Sequence, residues 1–150
     1  MSAEYRNKSE NTVDQLSLHD CMCSRVYQND NKLIFNMEWM EVLPDHPDNP
    51  FGEAHQSGEG CIILHGADIR NGTLIGDEGE IPLPERLDAR EMEILSFDET
   101  SSNGEFELDV YAELHEPHRQ YDFISFTVHY ISSEVMFDEL GQASWFEKGQ

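Results

Sequence analysis

Along Glu105-Phe-Glu-Leu-Asp-Val-Tyr-Ala-Glu-Leu114 the apolar residues fall on every second position. Side chains of a strand alternate between its two faces, whereas a helix repeats every 3.6 residues, so this pattern demands a β-strand. One face of that strand is apolar. The other carries Glu105, Glu107, Asp109, Tyr111 and Glu113. The stripe belongs to a wider excess, since the segment from Glu91 to Glu116 holds nine acidic residues and no Lys or Arg. Over the whole chain, 31 Asp and Glu oppose 9 Lys and Arg, a formal charge of −22. Such a field repels nucleic acid and anionic membrane and attracts cationic partners.

The same period-two pattern recurs. Asp20 to Gln28 and Leu33 to Leu43 read as a pair of strands joined by Asn29-Asp-Asn-Lys32, a turn whose Asn and Asp residues tolerate left-handed backbone. Gly60 to Ile69 reads as another strand, and Asn71-Gly72 is a two-residue hairpin signal leading to a short partner, Thr73 to Ile75. Met92 to Asp98, Glu105 to His115 and Asp122 to Ile131 have short links, which imply an antiparallel meander. At the C-terminal end Met136, Phe137, Leu140 and Ala143 are spaced as on a helix that Ser132 or Ser133 could cap.

These elements predict a mainly β domain over residues 16–150, with six to eight antiparallel strands in a meander, barrel or sandwich. A short C-terminal helix covers an open edge, and residues 1–15 form a flexible N-terminal arm. The N-terminal residues contain no apolar signal core, and the longest wholly aliphatic run is Ile62-Ile63-Leu64, far too short to span a bilayer. The expected address is the cytoplasm. Three cysteines, with Cys21 and Cys23 two residues apart on one strand, form no disulfide framework and read as core thiols.

Candidate chemistry is sparse. No nucleophile elbow, zinc-protease helix or phosphate-cradling glycine loop is present, so no enzyme, cofactor or resident metal is expected. Two surfaces remain. The stripe Glu105, Glu107, Asp109, Tyr111 and Glu113 is the candidate docking face for a basic protein. The alternative is a small ligand or metal held by the proline-rich loop from Pro44 to Gly58, through Asp45, His46, Asp48, Phe51 and His55.

Leu18-His19-Asp20-Cys21, followed after a β segment and a polar turn by Lys32-Leu-Ile-Phe-Asn-Met-Glu38, resembles the opening hairpin of several small bacterial β-rich families. Some of these are similar to immunity proteins that neutralise toxins of competing bacteria. The resemblance covers about 25 residues. It implies no catalytic residue; together with the acidity of the chain it points to an acidic inhibitor of a basic toxin, and His19 and Asp20 are expected to hydrogen-bond to close the hairpin.

Overall fold

A computed structural model describes residues 5–102, 104–117 and 119–143. It contains fourteen β-strands and, among the described residues, no α-helix. In chain order they are β1 (Asn7–Glu10), β2 (Leu16–Ser17), β3 (Met22–Asn29), β4 (Lys32–Met37), β5 (Glu41–Val42), β6 (His55–Ser57) and β7 (Gly60–His65). There follow β8 (Asp68–Gly76), β9 (Gly79–Pro82), β10 (Asp88–Ser102), β11 (Glu105–Leu114), β12 (Phe123–Tyr130), β13 (Ser132–Phe137) and β14 (Leu140–Ala143). Ten strands form one sheet in the order β1-β13-β7-β4-β3-β10-β11-β12-β8-β9. A second sheet has the order β14-β6-β5-β2, and every pairing described is antiparallel.

The large sheet is not a closed barrel, because it ends in β1 on one side and β9 on the other. It is nevertheless strongly curled. Phe35 on β4 and Phe126 on β12 lie four strands apart, which in a flat sheet means about 19 Å at the usual strand spacing. Their ring centroids are 6.5 Å apart, and Phe97 of β10 meets Phe35 edge-on at 5.6 Å. One continuous core fills the inside of this curl. Leu33 and Phe35, Ile62 and Leu64, Met92 and Ile94, Leu108 and Ala112, and Ile124 and Val128 are all fully buried.

The expected meander is present as β10-β11-β12, and the hairpin at Asp30-Asn31 joins β3 to β4 with Asp30 at φ 56°. Other expectations are corrected. The segment read as a C-terminal helix is β13 followed by β14 as far as Ala143, and residues 144–146 lie outside the described residues. Ser133, Val135 and Phe137 alternate inward, and β13 fills the space between β7 and β1, so backbone pairing on both sides outweighs a helical spacing of apolar residues. Residues 7–15, read as part of an arm, include β1 and a 3-10 turn at Val13–Gln15, with Val13 buried. Asn71-Gly72 is not a hairpin turn. It is a bulge inside β8, where Asn71 and Gly72 oppose the single residue Phe126 of β12 and Asn71 takes φ 52°. The reversal comes at Asp77-Glu78, between β8 and β9.

A second bulge has a larger consequence. Between Ile94 and Ser96 the register of β10 against β11 slips by one residue at Leu95. Before it, the even positions Met92 and Ile94 face the core. After it, the odd positions Phe97 and Glu99 face inward, opposite Val110 and Leu108. The carbonyl of the bulged Leu95 accepts a hydrogen bond from His19 Nδ1 at 2.7 Å, and Asp20 and Cys21 bond the backbone of Ile94. The His-Asp pair therefore secures this bulge and does not close the β3-β4 hairpin.

Glu99 is consequently an acid on the inner face, and burial, with the nearby charge of Asp14 as a lesser cause, pushes its carboxyl up to about 7. A raised carboxyl binds a proton more tightly in the folded than in the unfolded state. Its contribution to stability is full below the ordinary range near 4.5 and is lost as pH rises through about 7. Glu99→Gln is expected to remove this dependence and to raise stability at pH 8. The gain is about 1–2 kcal/mol, below what the full shift would give because water still reaches the group. Melting curves of both proteins between pH 5 and 8 check this, and parallel curves contradict it.

Candidate functional site

β11 presents its odd residues on the outer face of the curl, as its alternation demands. Its neighbours extend that face in rows. Glu113 lies between Glu93 of β10 and Phe123 of β12. Tyr111 lies between Ser96 and Ser125, and Asp109 between Asp98 and Thr127. Glu107 lies between Thr100 and His129, which in turn pairs with Asp68 of β8. Glu105 follows at the end of the strand, opposite Ser102. Residues two apart on a strand are about 6.8 Å apart along the backbone, and adjacent strands lie about 4.8 Å apart. The five residues marked in the sequence thus share one face. The register adds Glu93, Asp98 and Asp68, which the sequence pattern of β11 alone does not reveal.

Polar neighbours hold this face in place without cancelling it. Thr127 donates its hydroxyl to Asp109 Oδ1 at 2.6 Å, and Ser96 donates to Asp98 Oδ2 at 2.9 Å. His129 Nε2 is 2.8 Å from Glu107 Oε1. Among the described residues of these rows the one permanent cation is Arg70 of β8, and its Nε donates to Asp68 Oδ2 at 2.9 Å. In the middle of the acidic rows, Tyr111 and Phe123 stack nearly parallel, with centroids 5.6 Å apart and an interplanar angle of 5°. Tyr111 is 36% exposed, so an apolar platform sits inside a carboxylate field.

At one end of the face Glu93, Glu113 and His115 bring their ligand atoms within 4.8 Å of one another. His115 Nε2 stands 3.2 Å from Glu113 and 3.4 Å from Glu93. This is the donor set among the described residues that a metal ion could use, and a proton on His115 would satisfy it equally well. The cysteines offer nothing comparable. Cys21, Cys23 and Cys61 are buried free thiols, and burial pushes them up to about 12, 12 and 11.

The loop from Pro44 to Gly58 is built differently from an open ligand loop. His46 is 2% exposed and packs against Phe137. Its Nδ1 accepts the Asp48 backbone N–H at 3.0 Å, which leaves Nε2 as the protonated nitrogen, 3.1 Å from Ser9 Oγ. Burial holds this imidazole below its usual range, with both nitrogens engaged. Asn49 pins the loop, its amide donating to the carbonyls of Val42, Leu43 and Glu53 while its Oδ1 accepts the Phe51 N–H. His55 bonds the Gly141 carbonyl and stacks on Phe51, whose ring lies 4.0 Å away on the four-stranded sheet's side of the molecule. Asp45 is exposed and Asp48 half-buried. Asn49→Ala removes the four hydrogen bonds that tie the loop together, although the Leu43 carbonyl still accepts the His46 N–H, and is expected to cost about 2–3 kcal/mol in denaturant unfolding. A loss below about 0.5 kcal/mol would mean that the loop is not pinned there.

No helix among the described residues is long and apolar enough to cross a membrane. Comparison of the chain with protein-family models, with curated proteins and with solved structures finds no match.

Proposed function

We propose that this protein is a binding domain whose acidic face, centred on Glu105, Glu107, Asp109, Tyr111 and Glu113, docks a basic protein. The observation that carries this reading is the aromatic pair Tyr111–Phe123 set among carboxylates from β10, β11 and β8. Interfaces draw affinity from a few buried aromatic anchors, while complementary charge around them speeds encounter and selects the partner. The same face is poorly suited to nucleic acid, whose phosphates it repels.

In its sharpest form the reading is an immunity-type inhibitor that offers carboxylates where a basic toxin would otherwise grip phosphate. A net charge of −22 supports a functional field, because keeping a small domain dispersed needs only about 2–8 charges. The test is capture from the source lysate on immobilised protein at about 0.05 M and about 0.5 M salt, conditions that span a threefold change in screening length. One basic protein retained at low salt and released at high salt is the expected result. Retention that does not depend on salt would remove the electrostatic reading.

A further inference from the structure

The outer face of the other half of the large sheet is mixed, with an apolar row across its middle strands. Leu33-Ile34-Phe35 and Cys61-Ile62-Ile63-Leu64 are apolar at consecutive positions, the mark of strands covered on both faces. Leu33, Phe35, Ile62 and Leu64 are spent on the core at 0% exposure. Ile34 and Ile63 point the other way and face each other across β4 and β7, with Tyr27 of β3 next in the same row. Together with Met136 and Tyr5 they line a groove of about 740 Å³, a size usual for small-molecule sites.

The charges around this groove are unequal at its two ends. Glu134, on the β13 side, is held by Lys8 at 2.6 Å and His65 at 2.6 Å, and lies below the usual carboxylate range because of those partners. At the other end, Glu38 directly follows β4 and Glu59 directly precedes β7, next to the Met37–Gly60 pair. Both line the groove, both are exposed, and neither has an ion pair among the described residues. The Tyr5 phenol beside them is raised by burial first, and by the charge of Glu59 among lesser causes, so it stays a neutral donor. The apolar row of Ile34, Ile63 and Met136 leads to the uncompensated Glu38 and Glu59, with the exposed Glu91 also on the lining, and this complements a molecule with a hydrocarbon body and a positive head.

We infer that this groove is a site for a small primary alkylamine, its ammonium between Glu38 and Glu59 and its chain over Ile34 and Ile63. The inference stands apart from the acidic face and survives the failure of that reading.

The probes are octylamine, octanol and octanoate, titrated by calorimetry and followed by amide chemical shifts. Octylamine is expected to bind saturably, at least about tenfold tighter than octanol, with octanoate weaker still. Glu38→Gln with Glu59→Gln, two exposed changes that leave the core alone, should bring octylamine to the level of octanol. Ile63→Lys places an ammonium in the groove and should abolish octylamine binding, with melting curves confirming that both variants fold. The acidic-face variant E107K/D109K/E113K should bind octylamine as the parent does. The inference is overturned by octanoate binding as tightly as octylamine. It is equally overturned by no saturable binding up to about 10 mM, tenfold weaker than a millimolar Kd. Binding lost in the acidic-face variant but kept in both groove variants would also overturn it, as would a Lys- and Leu-rich peptide binding where octylamine does not.

Discussion

Phe35→Ala is expected to destabilise the protein by about 3–5 kcal/mol, the cost of removing a fully buried aromatic ring and leaving a cavity. The ring does more than fill space. It touches Phe97 of β10 and Phe126 of β12, and so bridges strands that a flat sheet would hold far apart. Losing it removes aromatic contacts to both sides of the curl in addition to the buried area. Since domains of this kind are stable by only about 5–15 kcal/mol, the variant should melt far below the parent or fail to fold at low salt, where carboxylate repulsion is least screened. Phe35→Leu, which keeps most of the volume, separates the cavity effect from collapse of the fold and should cost about 1–2 kcal/mol. A loss below about 1 kcal/mol for Phe35→Ala would mean that the curl does not depend on this cluster.

How much of this was legible in the sequence follows from which interactions are local. The β10-β11-β12 meander could be read because each strand alternates cleanly and the links are short. The β3-β4 hairpin could be read because Asp30 and Asn31 tolerate the backbone that a two-residue turn needs. Non-local pairing decided the rest. Ser133 to Phe137 carries a spacing that suits a helix, but it lies between β7 and β1, and that placement is invisible from its own residues. Asn71-Gly72 offers the same left-handed backbone to a turn or to a bulge, and pairing with β12 selected the bulge. The slip at Leu95 reverses which residues of β10 face inward, so Glu99 could not be assigned to the core from its place in an acidic segment.

The candidate site divides in the same way. The stripe on β11 was visible because one strand carries it. Glu93, Asp98, Asp68 and the Phe123 platform join it only through the register of three neighbouring strands. In the long loop the prolines mark irregular backbone, which makes its histidines alternative candidates for holding a small ligand or metal. Whether a loop side chain faces water or pins the loop from inside depends on contacts such as His46 with Ser9 and Phe137, far away in the chain.

Reversing Glu107, Asp109 and Glu113 to Lys together should weaken association with the basic partner by about 100-fold or more. Close charge pairs at interfaces contribute about 1.5 kcal/mol or more each, and each reversal replaces an attraction with a repulsion. Folding should not suffer. All three side chains are on the outer face, and removing like charge from a chain at −22 relieves repulsion, so the melting temperature should hold or rise at low salt. Tyr111→Ala in the parent background should also weaken binding, through loss of the aromatic anchor, and this loss should persist at high salt. The two effects therefore separate charge from contact.

The most direct test of the acidic face is the affinity of the parent and of E107K/D109K/E113K for the captured partner, measured across about 0.05–0.5 M salt. The parent affinity is predicted to fall at least tenfold over that range, while the variant binds weakly throughout and with little salt dependence. Equal affinity of the two proteins at low salt, or a parent affinity that stays flat across the range, would contradict the claim that this face is where the partner docks.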